Sequence, residues 1–203
     1  FAPLGGVDPR MLPDRELTVL TNPPRLGVVA CLPPHIQSRE DMDKSQPISE
    51  LYLDLGLTEE EAKAIPIGTP AVYRTGCLAL GKELLSGKAL DDRACFVILL
   101  RTLELLDVDL VVLGSTQEET HSTGAITAAY GLQPDLCVAV DVTHGDSPDA
   151  SKDKTFPLGK GPVIGLGPNC TKWISDLLRR CAKEMDLSVQ LEVMSGSSGT
   201  NGR

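Results

Sequence analysis

Aromatic side chains are scarce in this sequence: Phe, Trp and Tyr together make up 3% of its 203 residues. Aliphatic side chains must therefore build the core. Basic residues are outnumbered as well, with 19 Lys and Arg against 28 Asp and Glu and a net charge of −9. That balance argues against a nucleic-acid backbone or an anionic membrane as the main partner. It suits sites where clustered carboxylates are neutralised by cations. No run is long and apolar enough to span a membrane. The start, Phe1-Ala2-Pro3-Leu4-Gly5-Gly6, lacks the basic and apolar regions of a signal peptide. None of the six cysteines, at 31, 77, 95, 137, 170 and 181, forms a C-x-x-C pair. They read as reduced thiols of a cytoplasmic protein, with Cys95 and Cys137 acting as small hydrophobes inside apolar runs. The chain opens on Phe and closes in a Gly/Ser-rich stretch, Ser195 to Arg203, so it reads as part of a longer protein.

What is present falls into two patterns. Residues 1–85 carry short β-prone runs at 16–21, 25–31, 51–56 and 71–73, separated by frequent Pro and Gly, and read as a small barrel or sandwich. Asn22-Pro23-Pro24 is a turn signal. Residues 35–49 are polar, without periodicity, and read as a surface loop. Thr58 and Glu61 have capping-box spacing at the start of a short helix. After Gly87 the pattern changes to alternating helices and strands. Helical spacing covers 93–106, 122–130 and 171–185, the last with Trp173, Ile174, Leu177, Leu178 and Cys181 expected to face inward. Residues 110–113 and 136–140 are continuous apolar runs of the kind that form strands buried on both faces. Residues 187–193 alternate as a further strand. This alternation predicts a layered α/β domain over 86–203.

Three acidic clusters stand at the ends of these elements: Asp91-Asp92, Glu118-Glu119 and Asp141. Ligands in α/β sheets gather beyond the carboxyl ends of strands, so the clusters can converge on one sheet edge. Carboxylate oxygens there suit hard or borderline divalent metals. A pair of metals needs a bridging carboxylate, and a separate carboxylate can take the proton of an activated water. Two adjacent Glu residues can divide the tasks of ligand and base. Each cluster also has a plain reading. Asp91-Asp92 can cap a helix at its positive end, Glu118-Glu119 can be a solvated loop, and Asp141 can open an Asx turn. Their joint placement favours a metal hydrolase. His121 and His144 lie near Glu119 and Asp141 in sequence and read as surface or supporting residues; His35 reads as a loop residue.

The segments Ala89-Leu90-Asp91-Asp92-Arg93, Thr116-Gln117-Glu118-Glu119, Ala139-Val140-Asp141-Val142-Thr143-His144 and Leu158-Gly159-Lys160-Gly161-Pro162 resemble the TET-type dimetal aminopeptidases. These are cobalt- or zinc-dependent glutamyl, leucyl and deblocking aminopeptidases, some formerly described as endoglucanases. Gly5-Gly6-Val7-Asp8, Pro33-Pro34-His35 and Leu51-Tyr52-Leu53-Asp54-Leu55-Gly56 resemble that family's inserted β-barrel dimerisation domain. The resemblance implies a partial α/β catalytic domain over 86–203 and a small β-barrel dimerisation domain over 1–85. It implies two divalent metal ions, Zn or Co. Asp91 would bridge them, Glu119 would bind one and Asp141 the other. Glu118 would be the general base, and Asp92 would follow a cis peptide. Cleavage of the first peptide bond would use metal-activated hydroxide, with the substrate's free amino terminus at one metal. Peptides are the implied substrates, and a homo-oligomer of dimers, up to a dodecamer, the implied assembly.

The family's two ligand histidines have no counterpart in these 203 residues. One belongs to a motif upstream. The other lies downstream of a Gly-Gly-Thr-Asp-like loop, which Ser198-Gly199-Thr200-Asn201 resembles. Two further readings stand beside the peptidase: a non-catalytic assembly or regulatory module with a vestigial site, and a related dimetal deacylase or glycan hydrolase.

Overall fold

Leu17 and Val19 alternate with Glu16 and Thr18, which puts the two apolar side chains on one face of strand β1 (Glu16–Val19). Strand β2 (Arg25–Ala30) repeats the pattern and buries Gly27 and Val29. The computed structural model describes residues 1–196 and 198–202. It divides into two compact units, Phe1–Leu90 and Asp91–Arg203.

In the first unit, β1 pairs with β2, and β2 with β3 (Tyr52–Asp54), all antiparallel. On its other side β1 pairs with β4 (Ala71–Tyr73), giving the order β3-β2-β1-β4. Asn22-Pro23, a cis peptide, lies in the β1–β2 turn, where the Thr21 hydroxyl donates to Pro23 O at 2.6 Å. Leu12, Leu17, Val29 and Leu51 form the buried cluster under this sheet. Burying an aliphatic side chain of this size contributes on the order of 1.5–3 kcal/mol. The opposite face leaves Leu26, Val28, Tyr52 and Val72 exposed. Helix α1 (Glu59–Lys63) begins with the expected capping box. Thr58 N donates to Glu61 Oε2 at 2.9 Å, and Glu61 N donates to Thr58 Oγ1 at 3.4 Å. A hairpin of β5 (Leu78–Leu80) and β6 (Leu84–Ser86) follows. Its sequence signal is the pair of apolar runs around Gly81-Lys82-Glu83.

The expected barrel is not closed among the described residues, because β3 and β4 are the two edges of the sheet. Closure requires strands long enough to carry tilt and stagger, and these edges are three residues each.

The second unit contains a parallel βαβ element: β7 (Val163–Leu166), α5 (Lys172–Glu184) and β8 (Gln190–Val193). Gln190 anchors it, donating from its backbone N to Pro162 O at 2.9 Å and from Nε2 to Pro157 O and Gly161 O at 3.2 and 3.1 Å. Gly161 has φ +89, and a Cβ there would run into the carbonyl of Ser188, so only glycine lets the turn before β7 lie against the entry to β8. Helix α5 stops at Asp186, which takes the left-handed conformation (φ 54) that Asp tolerates better than most residues.

Two expectations differ from this unit. Residues 110–113 and 136–140 join no ladder among the described residues, and Val111 and Val138 are 66% and 52% exposed. A ladder requires a hydrogen-bonding neighbour as well as an apolar run. The inward face of α5 also differs: Trp173, Leu177, Leu178 and Cys181 are exposed, while Ser175 and Ala182 are buried. The sheet beneath is two strands wide, so the helix meets it along a line of small residues. The Ser175 hydroxyl donates to Gly165 O of β7 at 3.0 Å. The remaining helices are α2 (Leu90–Leu105), α3 (Glu118–His121) and α4 (Thr123–Leu132). No helix among the described residues is long and apolar enough to cross a membrane.

Candidate active site

Asp91 and Asp92 lie in the first turn of α2, in non-helical backbone (φ −78, ψ 109 and φ −115, ψ 30). The regular helix therefore starts beyond them, and they project from its entry instead of forming part of its surface. The Asp91–Asp92 peptide is cis, as the family resemblance implies. Ala89, just before, has φ 57, a left-handed conformation that costs a non-glycine residue of order 1–3 kcal/mol and concentrates at functional sites. One oxygen of Asp92, Oδ1, is buried and accepts no hydrogen bond.

Glu118 and Glu119 are the first two residues of α3, a single turn entered through Gln117 at φ 61. The carbonyl of Gln117 accepts the backbone N–H groups of Thr120, His121 and Ser122. Ser122 is 2% exposed and left-handed, and Gly124 N donates to Thr116 O at 3.1 Å. A Cβ on Gly124 would stand 2.5 Å from both the N and the O of Thr116. The loop before the Glu pair can thus lie against α4 only because residue 124 lacks a side chain.

Asp141 follows the run 136–140, and its Oδ1 accepts from Val142 N at 2.8 Å. Its carboxyl is nevertheless held above the ordinary aspartate range. Burial is the largest cause, followed among the upward influences by the carboxylates of Asp92, Asp91 and Glu119. Asp92, Asp91 and Glu119 thus act electrostatically on Asp141. Beside them the buried Cys95 thiol is pushed up to about 12, first by burial and then by its hydrogen bond to Asp92. Cys137, expected to pack as Cys95 does, is exposed, and all six cysteines are free. His121 is exposed; His144 lines an open cavity of about 340 Å³ with Ser151, Lys154 and Thr155.

Convergent carboxylates are the oxygen donors that hard and borderline divalent ions prefer, and a cation among them would remove their repulsion. Among the described residues no three His, Cys, Asp or Glu side chains gather closely enough to hold a metal ion. The arrangement fits a metal in donor chemistry and charge, while the side chains are not drawn together into a ligand cage.

The profile of one peptidase family matches residues 1–203 in full. The chain belongs to the M42 glutamyl aminopeptidase family. This M42 chain is 31% identical over 209 residues to a lysyl aminopeptidase of Pyrococcus furiosus, covering 98% of this sequence and 60% of that one. The structure is similar to an aminopeptidase of the archaeon Desulfurococcus kamchatkensis, with TM-score 0.84, 31% identity and coverage of 98% and 59%. It is also similar to a TET peptidase of Pyrococcus horikoshii described as assembling into a tetrahedron or a large octahedral shell, with TM-score 0.77, 26% identity and coverage of 98% and 62%. The M42 chain thus spans about 60% of the length of these relatives.

Some neighbours of the candidate acidic residues are not marked by the sequence pattern. Cys95 is the buried neighbour of Asp92, but its helical position distinguishes it only as apolar. Ser115 and Asn201 meet through Asn201 Nδ2, which donates to Ser115 Oγ at 2.9 Å across 86 positions of sequence. The likeness of 198–201 to a family loop was the available signal for Asn201; nothing marked Ser115.

Proposed function

We propose that this chain carries the carboxylate half of a dimetal aminopeptidase site that removes N-terminal residues from peptides. The reading is supported by the M42 family match together with the electrostatic influence of Asp92, Asp91 and Glu119 on a partly buried Asp141. Asp91 would bridge two divalent ions, Zn or Co, with Glu119 on one and Asp141 on the other. When bound, the ions supply Lewis-acid polarisation of the scissile carbonyl and a more acidic attacking water. Glu118, half-buried at the start of α3, would take the proton of the attacking water and deliver it to the departing amine. The left-handed Gln117 and the Gly124–Thr116 approach orient Glu118 for this transfer.

Residues 1–85 serve as the dimerisation domain, with the role of the family's small barrel, and 86–203 as part of the catalytic domain. The exposed face of Leu26, Val28, Tyr52 and Val72 provides an apolar surface for pairing copies of the chain. Larger closed assemblies, such as the tetrahedron or octahedral shell described for the Pyrococcus horikoshii peptidase, would need a second contact surface between such dimers. The compartment is the cytoplasm.

The test uses the metal-loaded full-length protein with aminoacyl-nitroanilides, their N-acetylated counterparts and glucan substrates. Turnover of the free-amino substrates alone is expected. Turnover confined to acylated or glucan substrates would overturn the assignment. Glu118→Gln is expected to lower kcat by about 10²–10⁴-fold with little change in KM, as loss of a general base does.

A further inference from the structure

The loop after β8 reaches back to the lead-ins of two of the three acidic segments of its unit. Asn169 Nδ2 donates to Gly196 O at 3.2 Å at the loop's start. Gly202 N donates to Thr200 Oγ1 at 3.0 Å and tightens its far end. Between those ties Asn201 donates to Ser115 Oγ, three residues before Glu118. Next to it, a Cβ on Gly202 would stand 3.2 Å from Ala139 Cβ, two residues before Asp141. Asn201 and Gly202 therefore touch, side by side, the lead-in to the Glu pair and the lead-in to Asp141. Asn201 Oδ1 is buried without a hydrogen-bond partner, so this amide is kept in place although half of its bonding capacity goes unused.

We propose that Asn201 is a positioning residue: through Ser115 it clasps the Glu118-Glu119 loop at a fixed separation from the Asp141 segment. The inference rests on the aminopeptidase reading for its effect on turnover, but its effect on metal binding stands apart from that reading. Partners that orient metal-binding carboxylates typically carry 10–100-fold in metal affinity or activity.

The variants are Asn201→Ala, Ser115→Ala, their combination and Asn201→Asp, made in the full-length protein. The readouts are Zn affinity by titration, kcat and KM on an aminoacyl-nitroanilide, and melting temperature. Asn201→Ala is expected to weaken Zn binding about 10-fold and lower kcat about 10–100-fold, with KM within about threefold. The double variant should be no worse than the worse single one, since both remove one bond. Asn201→Asp should recover most of the loss, because its carboxylate accepts from the Ser115 hydroxyl and restores the tie with the donor reversed. Unchanged Zn affinity and kcat in Asn201→Ala would overturn the proposal, whether or not the melting temperature falls. So would additive losses, or failure of the Asp variant to recover. A wild-type protein that binds Zn but cleaves no free-amino substrate would remove the aminopeptidase reading, leaving the Zn titration to decide on the clasp.

Discussion

Asp141 faces three other carboxylates from partial burial, and without a cation that arrangement disfavours its ionised form. Its raised pKa means that the charge at neutral pH works against the folded state. Asp141→Asn should therefore raise the melting temperature of the metal-free protein by about 2–4 °C, the change that about 1 kcal/mol produces in a chain of this size. The same variant should abolish most of the stabilisation that added Zn gives the wild type. Thermal melts with chelator and with Zn read both effects. A lower metal-free melting temperature in the variant would mean that the carboxylate holds the fold together instead of waiting for a cation. At this scale the sequence was informative where chemistry is carried by residue type. Asp91, the Glu pair and Asp141 are conspicuous acids at the ends of apolar runs, and Asp91, Asp92 and Glu119 act electrostatically on Asp141. Asn201 and Ser115 are ordinary polar residues whose pairing depends on a return of the chain that no local pattern encodes.

Elements were legible to the extent that their signals are local. The Thr58–Glu61 box is complete within four residues, and it formed as read. Glu61 is held below the ordinary glutamate range, chiefly by the backbone N–H of Thr58 and then by its hydroxyl. A depressed carboxylate contributes stability above its unfolded pKa and loses it as pH falls through the folded value. Thr58→Ala removes the N-cap hydroxyl, a loss that typically costs about 1 kcal/mol, and the difference at pH 7 should shrink near pH 3. Urea melts of both proteins at the two pH values test this; a difference independent of pH would mean that the Thr58 hydroxyl does not hold Glu61 down, the backbone N–H being kept in the variant. The runs 110–113 and 136–140 show the opposite case. Their apolar composition is read directly, but a strand is a relation between two segments, and composition names only one of them. The α5 stripe failed for a similar reason. Periodicity identifies the apolar side of a helix, whereas Ser175 and Ala182 are chosen by how closely its backbone approaches β7.

For the whole molecule, the proposed assembly surface and the proposed site lie in different stretches of chain, with the outer sheet face in one unit and the carboxylates in the other. Val28→Lys on that face should shift the protein from dimers or larger species toward monomers in light scattering, with a melting temperature close to wild type. An unchanged mass would assign assembly to another surface. The tie between Asn201 and Ser115 carries a further consequence, in the order of folding events. Gln190 and Gly161, which anchor the βαβ element, are 29 positions apart, whereas Asn201 and Ser115 are 86 apart. Closing the longer loop costs about 1 kcal/mol more in chain entropy. In pulsed hydrogen exchange during refolding, the amides of β7 and β8 should gain protection first, and those around Glu118 only once the tail has come home. A newly refolded chain would then pass through a stage with its scaffold built and its carboxylates not yet gathered.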